Sequence, residues 1–169
     1  MNMFKMISSF IVVAMAALCL VGCNGKETAI NVIQSTYTVS SQIQLYVGSL
    51  DSTNLVQRLQ AVKTPMSAVC SALTFVKPYI SDSSVSSVSS GIDSIIASIN
   101  EIVLKIDTVD SSTVGELRQS VLDKLASAKE TLVSLGSYLG AEIKLAQIKG
   151  KVTIGDINIE VDKLNGLMK

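Results

Sequence analysis

Histidine is absent from this 169-residue chain, and so is tryptophan. Without histidine, no Ser–His or Cys–His nucleophile pair can form. A zinc site would have to be assembled from carboxylates and cysteine alone, which is a poor donor set. Aromatic side chains make up 4% of the chain, leaving little from which to build a carbohydrate-stacking platform. An excess of either charge is missing too: 14 basic residues face 14 acidic ones, interspersed along the sequence. No basic stripe exists to neutralise phosphates, so nucleic acid is excluded as a partner. Serine is abundant, but no Ser–Lys pair has the spacing of a known catalytic dyad. These absences argue against an enzyme and against a bound cofactor or metal.

Long apolar runs are scarce as well. One stands out, from Met6 to Val21, uncharged throughout and preceded by Lys5. A cation, an apolar run and a small-residue border define a secretory signal peptide. The run is short for a membrane span, which takes roughly 20 apolar residues. At its end, Leu20-Val21-Gly22-Cys23 resembles the lipobox of bacterial prolipoproteins. That resemblance implies a diacylglyceryl group on the Cys23 sulfur and cleavage between Gly22 and Cys23. It also implies a second acylation, by palmitate or a similar chain, on the new amine. Two or three such chains hold a protein at a membrane almost permanently, at about 0.8 kcal/mol per buried methylene. Asn24, standing where Asp would retain such a protein in the inner membrane, favours the outer membrane if the host is Gram-negative.

The expected organisation is a signal peptide over 1–22, a lipidated tether over 23–29 and one domain over 30–169. Without a second apolar run, the mature chain is expected to be tethered to a membrane, not to span it. Of the three cysteines, Cys19 leaves with the signal and Cys23 carries lipid, so Cys70 alone keeps a thiol. No intrachain disulfide is then possible. Cys70 reads as a small buried hydrophobe, with an intermolecular disulfide as the alternative.

Within the domain, apolar residues recur at steps of 3 and 4, the mark of one buried helix face. One stripe runs Leu55, Leu59, Val62, Met66, Val69, Leu73, Val76, Ile80. A second runs Val85, Val88, Ile92, Ile95, Ile99, Ile102, Ile106, Val109. A third runs Val114, Leu117, Val121, Leu125, Ala128, Leu132, Leu135, Leu139, Ile143. Ahead of them Val32, Val39, Ile43, Tyr46 and Leu50 share a rougher face. The connections between stripes are short, which makes successive helices antiparallel. The fold class is therefore all-α: an antiparallel bundle of about four amphipathic helices with coiled-coil-like stripes, plus a short C-terminal helix or hairpin.

Local signals refine this. Asp51 or Ser52 is placed to cap the second helix, and Ser81 or Asp82 the third. Pro65 predicts a kink or break, and Lys77-Pro78 an end. The serine-rich run 81–91 keeps its valines in phase with the isoleucines that follow and reads as helix. In the tail, Gly155-Asp156 suits a hairpin turn. However, Ile154, Ile157, Val161, Leu164 and Met168 step by 3 and 4, which favours a short helix after Asp156.

Few residues remain as candidates for chemistry. Gly136-x-x-x-Gly140 reads as a close helix crossing, with self-association as the alternative. Asp107/Asp110 reads as capping and Glu160/Asp162 as solvated. Lys169 reads as a helix-end cation, the alternative being the peptidoglycan-linked terminal lysine of Braun-type lipoproteins. The functional expectation is a bacterial or phage-encoded lipoprotein, non-enzymatic, binding a protein partner in the cell envelope. The alternative is a carrier holding an apolar ligand or lipid in a cavity between the helices.

Overall fold

A computed structural model describes the backbone of residues 3–80, 86–145 and 147–169, and the side chains of 25–80, 88–145 and 147–169. The elements are α1 (Met3–Gly48), α2 (Leu55–Gln60), α3 (Lys63–Val76), a 3₁₀ turn (Lys77–Ile80), α4 (Ser86–Thr108), α5 (Val114–Tyr138) and α6 (Ile154–Leu167). Among the described residues there is no strand, and no helix is long and apolar enough to cross a membrane.

Side-chain bridges fix the directions. Lys63, at the start of α3, pairs with Asp107 at the end of α4, while Lys77 pairs with Asp93 near the start of α4. Arg118, early in α5, reaches the last carbonyls of α1, while Tyr138 at the end of α5 shares a groove with Lys26. Hence α1, α3, α4 and α5 alternate up and down, as the short connections require. α1 and α4 each pack on both α3 and α5, and α6 lies against α1 and α3.

The stripes are the core. Leu59, Val62, Met66, Val69, Leu73, Ile92, Ile99, Ile106, Val121, Leu125, Ala128, Leu132 and Leu135 are all fully buried. Each large aliphatic side chain so placed contributes about 1.5–3 kcal/mol relative to exposure. Val85, the first residue of the second stripe, lies outside the described residues, as do the caps expected at Ser81 and Asp82.

α1 explains its own rough pattern. It touches α3, α5 and α6, so it is buried on several sides, and Ala29, Val32, Ile33, Val39, Ile43 and Val47 are all inside. Thr36, Ser40 and Ser41 are buried with them. Two of these hydroxyls turn back on their own helix: Thr36 Oγ1 donates to the Val32 carbonyl at 2.6 Å and Ser41 Oγ to that of Tyr37 at 2.8 Å. Bonding to the i−4 carbonyl is how a short hydroxyl side chain is satisfied inside a helix.

The break expected at Pro65 is present just before it: α2 ends at Gln60 and α3 begins at Lys63, with Pro65 in its first turn, where proline's missing N–H has no intrahelical partner to lose. Other local expectations are corrected. Neither Asp51 nor Ser52 caps α2. The preceding residue is Asn54, in the left-handed region at φ 55°, while Asp51 accepts a turn bond from the Thr53 amide at 3.0 Å. The fourth helix stops at Tyr138, before Ile143. The chain beyond it turns back to α1 at Lys144, where the Gln34 amide clasps both of that residue's backbone groups at 2.8 and 2.9 Å. The tail is the helix its spacing favoured, but it starts at Ile154, earlier than Asp156. Thr153 is the N-cap and Asp156 sits at the third helical position, each side chain bonding the other's backbone amide. This capping box satisfies two of the amides that a helix start leaves free.

Candidate functional site

Gly22 and Cys23 lie outside the residues whose side chains are described. Packing begins close behind them. Residues 25–29, expected as part of a tether, are helical within α1, and Ala29 is fully buried. Gly25 lies under the Tyr79 ring, where an added Cβ would stand 3.0 Å from Tyr79 Cε1. A side chain at this position would press on the ring and displace it by a few tenths of an ångström.

Tyr79 is held by the 3₁₀ turn that follows Val76, with the Phe75 ring 5.8 Å away, centre to centre, on the same strip. The end of α5 brings up Tyr138 and Leu139, which share a shallow open groove with Tyr79 and Lys26. Tyr79 is 40% exposed and Tyr138 42%. Two half-exposed tyrosines and a lysine thus share one groove, and one of the tyrosines, Tyr79, touches Gly25. Sequence reasoning missed them. Tyr79 and Tyr138 sit off the main stripes, and nothing in their neighbourhoods signals that they share a groove with Lys26.

The other candidates resolve into structural roles. Cys70 is buried on α3, and its Sγ lies 3.9 Å from the Ile96 carbonyl of α4. Burial pushes the thiol up to about 11, so it stays protonated and unreactive at neutral pH. A disulfide to another molecule needs an accessible thiolate, which this position does not offer.

Gly136-x-x-x-Gly140 is not a helix crossing. It ends α5. The Ala141 amide donates to the Gly136 carbonyl at 2.8 Å and the Gly140 amide to that of Ser137 at 3.0 Å. Gly140 takes φ +75°, completing a Schellman cap. A Cβ on Gly136 would collide with the Ile143 side chain. The pattern therefore reverses the chain and seats Ile143 on the helix end.

Asp107 pairs with Lys63, and Glu160 with Lys163 three residues on. Asp110 folds its carboxylate onto the backbone and hydroxyls of Ser112 and Thr113. Lys169 is exposed beyond the end of α6. Among the described residues, no three Cys, Asp or Glu side chains stand close enough to hold a metal ion together.

Between α1 and α5, Lys129 lies 5.3 Å from the centre of the Tyr37 ring and bonds Gln44 Oε1 at 3.0 Å. Partial burial holds its ammonium below the usual lysine range. This open groove, lined also by Ala126 and Val133, stays at the edge of the bundle. No protein-family model matches the chain, and no curated protein or solved structure does so either.

Proposed function

We propose that this chain is a lipid-anchored protein of a bacterial envelope, encoded by a bacterium or a phage. It acts by binding and not by catalysis. The observation that carries this reading is Leu20-Val21-Gly22-Cys23 at the end of an uncharged run, immediately ahead of a compact helical body. The Cys23 sulfur and the amine freed beside Gly22 carry the acyl chains, and the bundle is held at the membrane surface. If the host is Gram-negative, Asn24 directs it to the outer membrane. Confinement to that layer raises the effective concentration of the bundle for a protein partner in the same membrane. The absence of histidine supports a binding role over an enzymatic one.

The test is to express the full chain and Cys23→Ser in bacteria, label with a fatty-acid analogue and fractionate the membranes. Wild type should carry label and sediment with membranes, and Cys23→Ser should lose both. An unlabelled wild type would contradict the anchor.

A further inference from the structure

From the contact of Tyr79 with Gly25 and the groove that Tyr79 shares with Tyr138, we infer that this end of the bundle seats directly in the headgroup layer of the membrane to which the chain is anchored. The inference rests on acylation of Cys23. It adds an orientation: the body does not swing on a leash but stands upright on two tyrosines.

The chain leaves little slack. From Cys23 to Gly25 are two residue steps, which span at most about 7 Å when fully extended and about 3 Å when helical. The polar layer on each side of a bilayer is roughly 5–7 Å deep. An acyl group on Cys23 therefore draws Gly25 into or against that layer. Whatever touches Gly25 goes with it, and the Tyr79 ring does. Tyr138, Leu139 and Lys26 share the groove beside that ring.

The residue types suit the depth. Tyrosine has an apolar body and a hydroxyl tip, and it concentrates at membrane–water interfaces for that reason. Lysine lays its stem on apolar surface and keeps its ammonium in water. Charge does not dominate the contact, because exposed Lys26 is followed directly by exposed Glu27. Seating should therefore be insensitive to salt, unlike attraction by a basic patch. The far end of α4 lies away from this groove. α4 carries Leu104, 69% exposed, about 27 Å along its axis from Ser86.

The chain has no tryptophan, so one introduced residue reports alone. Tyr79→Trp, Tyr138→Trp and Leu104→Trp are made in the full chain and purified from bacterial membranes. Each is then reconstituted into phosphatidylethanolamine–phosphatidylglycerol vesicles with and without brominated lipid. Mass spectrometry of the amino-terminal peptide accompanies each sample. The expected result is a blue shift and loss of most emission at positions 79 and 138, unchanged by added salt, with position 104 unaffected. Acylated, vesicle-bound protein quenched no more at 79 and 138 than at 104 would overturn the seating and leave the anchor standing. An unacylated Cys23 would overturn both. The two tyrosine positions are independent, so failure of one variant to fold leaves the other decisive.

Discussion

The guanidinium of Arg118 closes the far end of α1: its Nε donates to the Val47 carbonyl at 3.0 Å and its Nη2 to the Gly48 carbonyl at 2.7 Å. The last carbonyls of a helix have no intrahelical donor, and a cation there also meets the negative end of the helix dipole. One side chain of α5 thus caps its neighbour and ties the top of the bundle together. Arg118→Ala should lower unfolding stability by about 1–2 kcal/mol, read as a lower urea midpoint with an unchanged slope. Arg118→Lys should recover only part of this, because a point charge cannot span two carbonyls as a fork does. An unchanged midpoint in Arg118→Ala would show that the cap carries no weight.

At the opposite end, Gly136 and Ile143 fit one another. Gly136→Ala places a methyl against the Ile143 side chain and should cost about 1–3 kcal/mol. Adding Ile143→Ala should relieve that clash, so the double variant loses less than the two single losses together. Gly140→Ala should cost about 1–2 kcal/mol for a different reason, its positive φ. Chemical denaturation of the four variants checks the set, and strict additivity of Gly136→Ala with Ile143→Ala would contradict the contact.

Ser40 is fully buried in α1 and its hydroxyl has no hydrogen-bond partner. A buried unsatisfied hydroxyl opposes folding. Ser40→Ala should therefore hold or raise stability by up to about 1 kcal/mol. Ser41→Ala, which removes the bond to the Tyr37 carbonyl, should lower it by a similar amount. The opposite signs at adjacent positions are the readout, and a clear loss in Ser40→Ala would mean that its hydroxyl is satisfied.

Acid should act through Asp110. Its carboxylate accepts from the amide and hydroxyl of Ser112, at 2.9 and 2.6 Å, and from both groups of Thr113 at 3.0 Å. These bonds lower it from 3.8 to about 2. A depressed folded value means that the stabilisation is present in full above the ordinary carboxylate value and is lost as pH falls through about 2. A carboxyl-carbon NMR titration should place Asp110 near that value, and Asp110→Ala should flatten the acid limb of stability. Titration near 4, the ordinary aspartate value, would remove the account.

Much of the bundle was legible because three stripes of Leu, Ile and Val keep strict helical spacing, and spacing alone determines which face is buried. α1 was less legible because a central helix buries several faces. Thr36 and Ser41 can lie among aliphatic neighbours only by bonding their own backbone, which polarity scales do not register. The steps of 3 and 4 in the tail signalled its helix, whereas the start was placed after Asp156 because the side-chain bonds between Thr153 and Asp156 that set it at Ile154 went unread. The glycine pair at 136 and 140 was visible, whereas its partner, Ile143 folding back, depended on where α5 stops. Cys23 was read from its neighbours in sequence. The tyrosines beside Lys26 were not, since only the antiparallel packing brings Tyr79 and Tyr138 to one end.

The most direct measurement is the mass of the amino-terminal peptide of the mature protein isolated from bacterial membranes. The expected peptide begins at Cys23, carries a diacylglyceryl group on sulfur and lacks residues 1–22. A peptide that retains Met6–Val21, or one that begins with an unmodified Cys23 thiol, would contradict the anchored bundle.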